Sequence, residues 1–195
     1  MKLFFKTALV LGLICSISGA ILVLVNNITS DRIELNEFNK LNLALNKVSF
    51  NNNISDKVEV TDNHSIDSYY NLMDFKTNSL KGYILSLKGN GYGGEISLLA
   101  SYDTKGNIMA VELISNSETP GVGKKAENKG YMDKYIGKGS DIAIPLNKNQ
   151  LSDPDKNLVS GATITFTSIS KMLNEGSFFV KNLGEKNEYW YKKFH

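Results

Sequence analysis

The sequence predicts an α+β fold, an antiparallel sheet with flanking helices, preceded by one N-terminal transmembrane helix. Three observations carry this prediction. An uncharged apolar run occupies residues 8–25, several segments after residue 80 alternate between apolar and polar side chains, and apolar residues at helical spacing follow residue 160. Strands that follow one another and then give way to a helix are typical of α+β proteins.

The composition excludes several classes of functional site. The 195 residues carry 22 Lys plus Arg against 20 Asp plus Glu, a net charge of +2, so no concentrated basic face and no nucleic-acid partner are expected. Arg32 is the only arginine, Cys15 is the only cysteine, and there are two histidines. We therefore expect no internal disulfide, no Cys- or His-built metal site and no Ser-His-Asp triad. With no catalytic side chain predicted, any redox chemistry has to come from an organic cofactor.

The first predicted element is a membrane anchor over Ala8–Val25. The run has no charge and, as a helix, is about 27 Å long, close to the hydrocarbon thickness of a bilayer. Lys2 and Lys6 precede it, which favours a cytoplasmic N-terminus and an extracytoplasmic domain after about residue 27. A cleaved signal peptide is the alternative, but the apolar run continues past Ala20. Lipidation of Cys15 is disfavoured because Ile14 precedes it where a small residue is expected.

A helix is predicted next, over Asp31–Val48. Apolar residues recur there at helical spacing, and Asp31 followed by Glu34 resembles a capping box at a helix start. The region from there to residue 79 is polar with short apolar clusters. We therefore divide the chain into an anchor (1–27), a helical and irregular part of the outer domain (28–79) and a ligand-binding domain (80–195).

The sheet is predicted from residue 80 onward. Strands are expected at Tyr83–Leu87, Glu95–Tyr102 and Ile108–Ile114, where apolar residues alternate. The segment Asp103–Asn107 has turn chemistry and predicts a hairpin between the last two strands. From Ser160 a helix is expected to end near Gly184. Its apolar stripe comprises Ile169, Met172, Leu173, Phe179 and Val180.

One glycine motif is misleading. Gly89–Gly94 matches the G-x-G-x-x-G fingerprint of dinucleotide-binding proteins. In those proteins a helix follows the glycines and its N-terminus holds the pyrophosphate. Here the next residues, Glu95–Ala100, alternate like a strand, so the motif predicts a glycine-rich strand connection that permits close backbone approach.

Two other segments carry chemistry. Ser160–Thr165 has three hydroxyl side chains at a predicted helix start, where unpaired N–H groups and the helix dipole favour a phosphate. Plain N-capping is the alternative, since Ser and Thr are preferred caps. In Ser117–Gly123, Pro120 and Gly121 suit the centre of a type II turn, and an acid and a hydroxyl lie beside them.

Both segments resemble motifs of one family. SGATIT at residues 160–165 resembles the flavinylation motif of the extracytoplasmic FMN-binding domain. That domain occurs in the G subunit of Rnf-type electron-transport complexes and in the C subunit of the sodium-pumping NADH:quinone reductase. ETPGVG at residues 118–123 resembles the family's E-T-P-G-L-G segment, which lies against the flavin. The sequence departs from the family pattern at Asn116, Val122, Asn157 and Phe166.

The resemblance implies a covalent flavoprotein. Thr163 would form a phosphoester with FMN, and the chain would relay electrons in a membrane complex that couples ferredoxin–NAD electron transfer to ion movement. Implied partners are the other membrane subunits, a flavin transferase during maturation and the lipid bilayer. Two alternatives remain open: a stand-alone extracytoplasmic flavoprotein for extracellular reduction, and a non-redox anchored binding domain. The implied cofactor-binding residues are Thr163, Ser160, Gly161, Ala162, Thr165, Glu118, Thr119, Gly121 and Val122.

Overall fold

The computed structural model describes residues 2–61, 63–118, 123–128 and 130–194, with side chains described between residues 4 and 184 of those ranges. The chain forms two compact units, Met1–Asn42 and Leu43–His195. The sequence-based division into an anchor (1–27), an N-terminal part of the outer domain (28–79) and a ligand-binding domain (80–195) is a functional division, and it stays a prediction.

Helix α1 (Lys2–Ser49) is continuous. The predicted helix start at Asp31 is wrong, because no Gly or Pro interrupts the chain between residues 20 and 49. In the first unit, α1 is long and apolar enough to cross a membrane, and side chains of its apolar run, such as Val10 and Ile17, are more than half exposed. In the second unit, Ala44 and Val48 of α1 are buried.

The strands of the sheet are β1 (Asn53–Ile54), β2 (Val58–Glu59), β3 (Ile66–Met73), β4 (Leu80–Asn90), β5 (Glu95–Asp103) and β6 (Ile108–Asn116). The sheet is antiparallel throughout and has the strand order β1-β3-β4-β5-β6, with β2 also paired to β3. The three strands predicted after residue 80 are confirmed. β4 extends three residues beyond its predicted range at each end, and β5 and β6 continue one and two residues further than expected. The predicted hairpin between β5 and β6 is confirmed as well, and Asp103 closes its turn by accepting the N–H groups of Lys105 and Asn107.

Strand β3 was not predicted. Its buried positions alternate, but one of them is a serine, Ser68, and polar residues such as Asp67 and Asn71 lie between them. The apolar period is therefore too weak to recognise in the sequence. Pairing with β4 brings β3 into the sheet, a tertiary effect that overrides a weak local pattern.

Two helices follow three short 3₁₀ helices, at Gly123–Glu127, Met132–Tyr135 and Lys148–Gln150. Helix α2 (Asp153–Val159) was not predicted, because seven residues with one buried side chain leave little periodicity. Helix α3 (Thr163–Phe194) is confirmed and begins three residues after the predicted start at Ser160. Its predicted end at Gly184 is wrong: a Cβ there would lie 2.9 Å from the carbonyl oxygen of Thr104, so this glycine allows α3 to pass the β5–β6 turn.

The core of the second unit lies between α3 and one face of the sheet. Tyr102 on β5 is fully buried, and its hydroxyl donates to the carbonyl of Leu173 on α3 at 3.0 Å. Gly176 lies against the same ring. The buried side chains that share this core include Ile96, Leu98 and Ala100 of β5 and Phe166, Ile169, Leu173 and Val180 of α3.

We predict that Gly176→Ala destabilises the protein. An exposed helical glycine changed to alanine ordinarily gains about 1 kcal/mol, but here the added Cβ would overlap the hydroxyl oxygen of Tyr102. Thermal unfolding of the full chain in detergent should show a lower Tm than wild type, and a smaller drop when the background is Tyr102→Phe. The exposed neighbour Glu175→Ala is the control. An unchanged Tm in Gly176→Ala would contradict this packing.

We also predict that stability rises with pH between about 8 and 10 because of Lys134. Its side chain is buried over the ring of Tyr131, and desolvation lowers its pKa to about 8, against the opposing effect of Asp155. An unfolded lysine titrates near 10.4, so in this window the unfolded chain binds a proton that the folded chain has lost. The free energy of unfolding should increase from about pH 8 to 9.5 in wild type and stay flat in Lys134→Met. Equal slopes would refute the assignment.

Candidate functional site

Three segments of the second unit meet near the start of α3. The first is the glycine loop, Gly89–Gly94, which includes the end of β4 and leads into β5. The second comprises Glu118, after β6, and the 3₁₀ helix Gly123–Glu127. The third is the α2–α3 junction, Ser160–Ala162, which leads into Thr163.

The α2–α3 junction is a sharp turn that ends one helix and begins the next. The N–H of Ser160 donates to the carbonyl of Asn157, and the N–H of Ala162 donates to that of Val159 at 3.0 Å. Gly161 has φ +81°, a conformation that costs a non-glycine residue about 1–2 kcal/mol. This glycine is therefore required by the backbone, and it sets the direction in which α3 starts.

Thr163 is the first residue of α3 and its side chain is exposed. The first intrahelical bond is that of Phe166, whose N–H donates to the carbonyl of Ala162 at 2.9 Å. The N–H groups of residues 163–165 therefore have no acceptor within the helix. Among the described residues, no side-chain oxygen accepts them. The plain-capping alternative thus lacks its hydrogen bond, and the arrangement suits an anion.

A cleft of about 290 Å³ opens beside Thr163. Thr167 and Lys171 follow Thr163 at intervals of four residues, so all three lie on the same face of α3. Neither was predicted as a site residue, although helical spacing from Thr163 was sufficient to find them. The lining residues are Asn90, Thr163, Ile164, Thr167, Ser168 and Lys171.

The other residues predicted around Thr163 are placed differently. Ser160 and Gly161 are exposed at the junction, whereas Ala162 and Thr165 are buried, 3% and 1% exposed. The side chain of Thr165 is not among those lining the cleft. Their roles as flavin contacts stay a prediction. Thr119, Gly121 and Val122 lie outside the described residues.

The glycine loop is a strand connection, as expected. The N–H of Gly91 donates to the carbonyl of Gly94 at 2.8 Å, and β5 begins at the next residue, Glu95. At its β4 end the loop lies against α3: a Cβ on Gly89 would be 2.6 Å from the sulfur of Met172. This close approach brings Asn90 to the wall of the cleft.

Glu118 attaches the glycine loop to the segment after β6. Its side chain is 2% exposed, and its carboxylate accepts the N–H groups of Tyr92 at 2.6 Å and Gly93 at 3.1 Å. A Cβ on Gly91 would overlap one carboxylate oxygen, and a Cβ on Gly123 would overlap the other. The glycines on both sides therefore provide the space that the carboxylate occupies.

Two further polar contacts brace the second segment. The side chain of Asn116 accepts the N–H of Glu118 at 3.0 Å and donates to the carbonyl of Gly123 at 3.4 Å, so it joins both ends of the loop. Lys125 in the following 3₁₀ helix donates from Nζ to the carbonyl of Ser160 at 2.5 Å. Sequence reasoning missed Lys125, because no local pattern relates it to a residue 35 positions away.

Comparison with known proteins gives the class of this domain. Residues 91–176 match the FMN-binding domain family, a range that includes Glu118, Lys125 and Thr163. The class expected from the two motifs is thus confirmed.

The relatives are G subunits of ion-translocating oxidoreductase complexes. The G subunit of the ion-translocating oxidoreductase complex of Aliivibrio fischeri is 25% identical over 93% of this chain and 92% of its own. The G subunit of the proton-translocating ferredoxin:NAD(+) oxidoreductase complex of Clostridium ljungdahlii is 29% identical over 51% of this chain and 54% of its own. The G subunit of the Na(+)-translocating ferredoxin:NAD(+) oxidoreductase complex of Acetobacterium woodii is 26% identical over 49% of this chain and 47% of its own. The chain thus spans about half the length of two of these relatives and nearly all of the third. These similarities support the G subunit resemblance that the two motifs indicate.

We predict that Glu118→Gln destabilises the domain by about 1–3 kcal/mol, because one of the part-buried hydrogen bonds between the charged carboxylate and the glycine loop is lost. Glu127→Gln is the matched control, since Glu127 is exposed and pairs only with Lys124 among the described residues. Urea unfolding of the full chain in detergent measures both. Equal unfolding free energies for the two variants would contradict the role of the buried carboxylate.

Proposed function

We propose that this chain is a membrane-anchored electron-transfer subunit that carries FMN covalently on Thr163. It would work within an ion-translocating ferredoxin–NAD oxidoreductase complex. The observation that carries the proposal is the position of Thr163, which is exposed in a cleft at the first residue of α3, within the FMN-binding match. The similarity to G subunits supports the complex as its setting.

The residues around Thr163 fit a phosphate ester. Three backbone N–H groups and the positive end of the α3 dipole are directed toward the same place. Lys171 lines the cleft, and Lys125 lies at the α2–α3 junction that leads into Thr163, so both add cationic side chains to the surroundings of the site. The chain has one arginine, in α1, so backbone N–H groups replace the bidentate arginine contacts that many phosphate sites use.

Attachment is a phosphoryl transfer to an alcohol. The hydroxyl oxygen of Thr163 forms a bond to the phosphorus of a flavin phosphoanhydride held by a flavin transferase. The anhydride P–O bond breaks, the leaving phosphate takes its electron pair, and the threonine proton passes to a base of the transferase. The protein gains one FMN less one water.

When bound, FMN accepts and donates electrons, and the protein supplies its position and surroundings. Asn90 of the glycine loop and Thr167 and Ser168 of α3 would surround the part of the flavin next to the phosphate. Glu118 would act through the glycine loop, which its carboxylate holds in place. The predicted contacts of the ring with Thr119 and Val122 belong to this proposal.

The membrane arrangement completes the proposal. Helix α1 would anchor the chain as a single pass in the bilayer. The lysines at residues 2 and 6 favour a cytoplasmic N-terminus, which would leave the FMN domain outside the cytoplasm. A covalent link has a physical advantage there, because a dissociated flavin would be lost by diffusion.

The test is the intact mass under denaturing conditions. The full chain is expressed with a flavin transferase and its mass is recorded with and without Thr163→Ala. We expect wild type to gain one FMN less one water and Thr163→Ala to lose that gain. Thr167→Ala removes another hydroxyl from the same cleft and should keep the gain in mass. Flavin retained by denatured Thr163→Ala would refute the attachment site.

Partners are tested separately, by purifying the full chain from its native membrane in mild detergent. Integral membrane subunits in stoichiometric amounts would support the complex. A flavinylated chain without them would favour the stand-alone flavoprotein. If the wild-type chain carried no flavin while a family member treated in the same way became flavinylated, the non-redox binding domain would be the remaining hypothesis.

A further inference from the structure

Lys125 joins two parts of the candidate site that are distant in sequence. Its Nζ lies 2.5 Å from the carbonyl oxygen of Ser160, three residues before Thr163. The same Nζ would be 3.8 Å from a Cβ on Gly161, so the ammonium group lies beside the bend that starts α3. Nothing in the sequence motifs identifies this residue.

One role of this contact is structural. The carbonyl of Ser160 follows the C-terminus of α2, where a lysine is favourable both as a hydrogen-bond donor and as a charge on the negative end of the dipole. The contact also ties the 3₁₀ helix after Gly123 to a turn that Gly161 holds at positive φ. Such a role requires a donor, but it does not require a net charge near Thr163.

The geometry also allows a second role. An ammonium group has three donors, and among the described residues Ser160 takes one of them. Three Cα–Cα steps separate Ser160 from Thr163, which limits their separation to about 11 Å even in an extended chain. This upper limit on the separation is comparable with the Debye length of about 8–10 Å at ordinary salt. Because the lysine is half-buried, salt screens its charge less than that of an exposed side chain. A phosphate carried by Thr163 would therefore lie close enough to feel this charge.

We propose that Lys125 is a phosphate-recognition and positioning residue of the flavin site. It holds the α2–α3 junction through Ser160 and supplies positive charge to the flavin phosphate as the ester with Thr163 forms. This inference rests on the proposed function. It assigns to Lys125 a role that the neighbouring Lys124 does not share, since Lys124 pairs with Glu127 at 3.6 Å.

The experiment measures the rate of covalent flavin attachment to the full chain in detergent micelles, with purified flavin transferase and its flavin donor. The variants are Lys125→Met, Lys125→Arg and Lys124→Met, and the Tm of each is recorded. Lys125→Met should slow attachment about tenfold, the effect of losing one charge-assisted hydrogen bond. Lys125→Arg should restore most of the rate, and Lys124→Met should lose little.

A salt series separates charge recognition from capping. The wild-type rate should fall as salt rises, and the rate of Lys125→Met should depend less on salt. Attachment to Lys125→Met at the wild-type rate would overturn the inference. The inference would also be overturned if the loss in Lys125→Met accompanied a fall in Tm and was not restored in Lys125→Arg, or if Lys124→Met lost as much rate as Lys125→Met. If wild type itself gains no flavin while a related protein does, the proposed function fails and not only this inference.

Discussion

The packing of α3 against the sheet is the contact on which the site depends. Apolar side chains of β5 and α3 form one core, and the hydroxyl of Tyr102 bonds to the backbone of α3 within it. Because α3 is held there, its N-terminal part lies beside the end of β4: Gly89 lets the strand approach Met172, and Asn90 lines the same cleft as Thr163. The cleft at Thr163 is a consequence of this packing, since one wall belongs to the helix and the other to the glycine loop.

Polar contacts then hold the loops that core packing leaves free. The carboxylate of Glu118 is buried, a costly position for a charge, and two backbone N–H groups with good geometry offset that cost. Lys125 performs the corresponding task on the other side of the site, at Ser160. Hydrogen bonds to charged groups are stronger than neutral ones, so a few of them are enough to define a loop-built site.

The elements that were predicted correctly have strong local patterns. The alternation at Ile96–Tyr102, the turn at Asp103–Asn107 and the hydroxyl run before α3 can each be recognised from residues that are adjacent in the chain. The elements that were missed or misplaced lack such a pattern. Strand β3 has a polar buried position, α2 has one buried side chain, and the signals at Asp31 and Gly184 are overridden because the helices continue through them.

The sequence by itself determined the apolar helix, the antiparallel strands and the two motifs that indicate an FMN-binding domain. Each of these depends on side chains that are close together along the chain. Tertiary structure decided that Glu118 is directed into the glycine loop, that Lys125 reaches Ser160, and that Asn90 shares the cleft with Thr163. The hydrogen bonds of Glu118 and Lys125 join residues 25, 26 or 35 positions apart, and such separations leave no period or spacing to read. The folded core is what brings them within bonding distance.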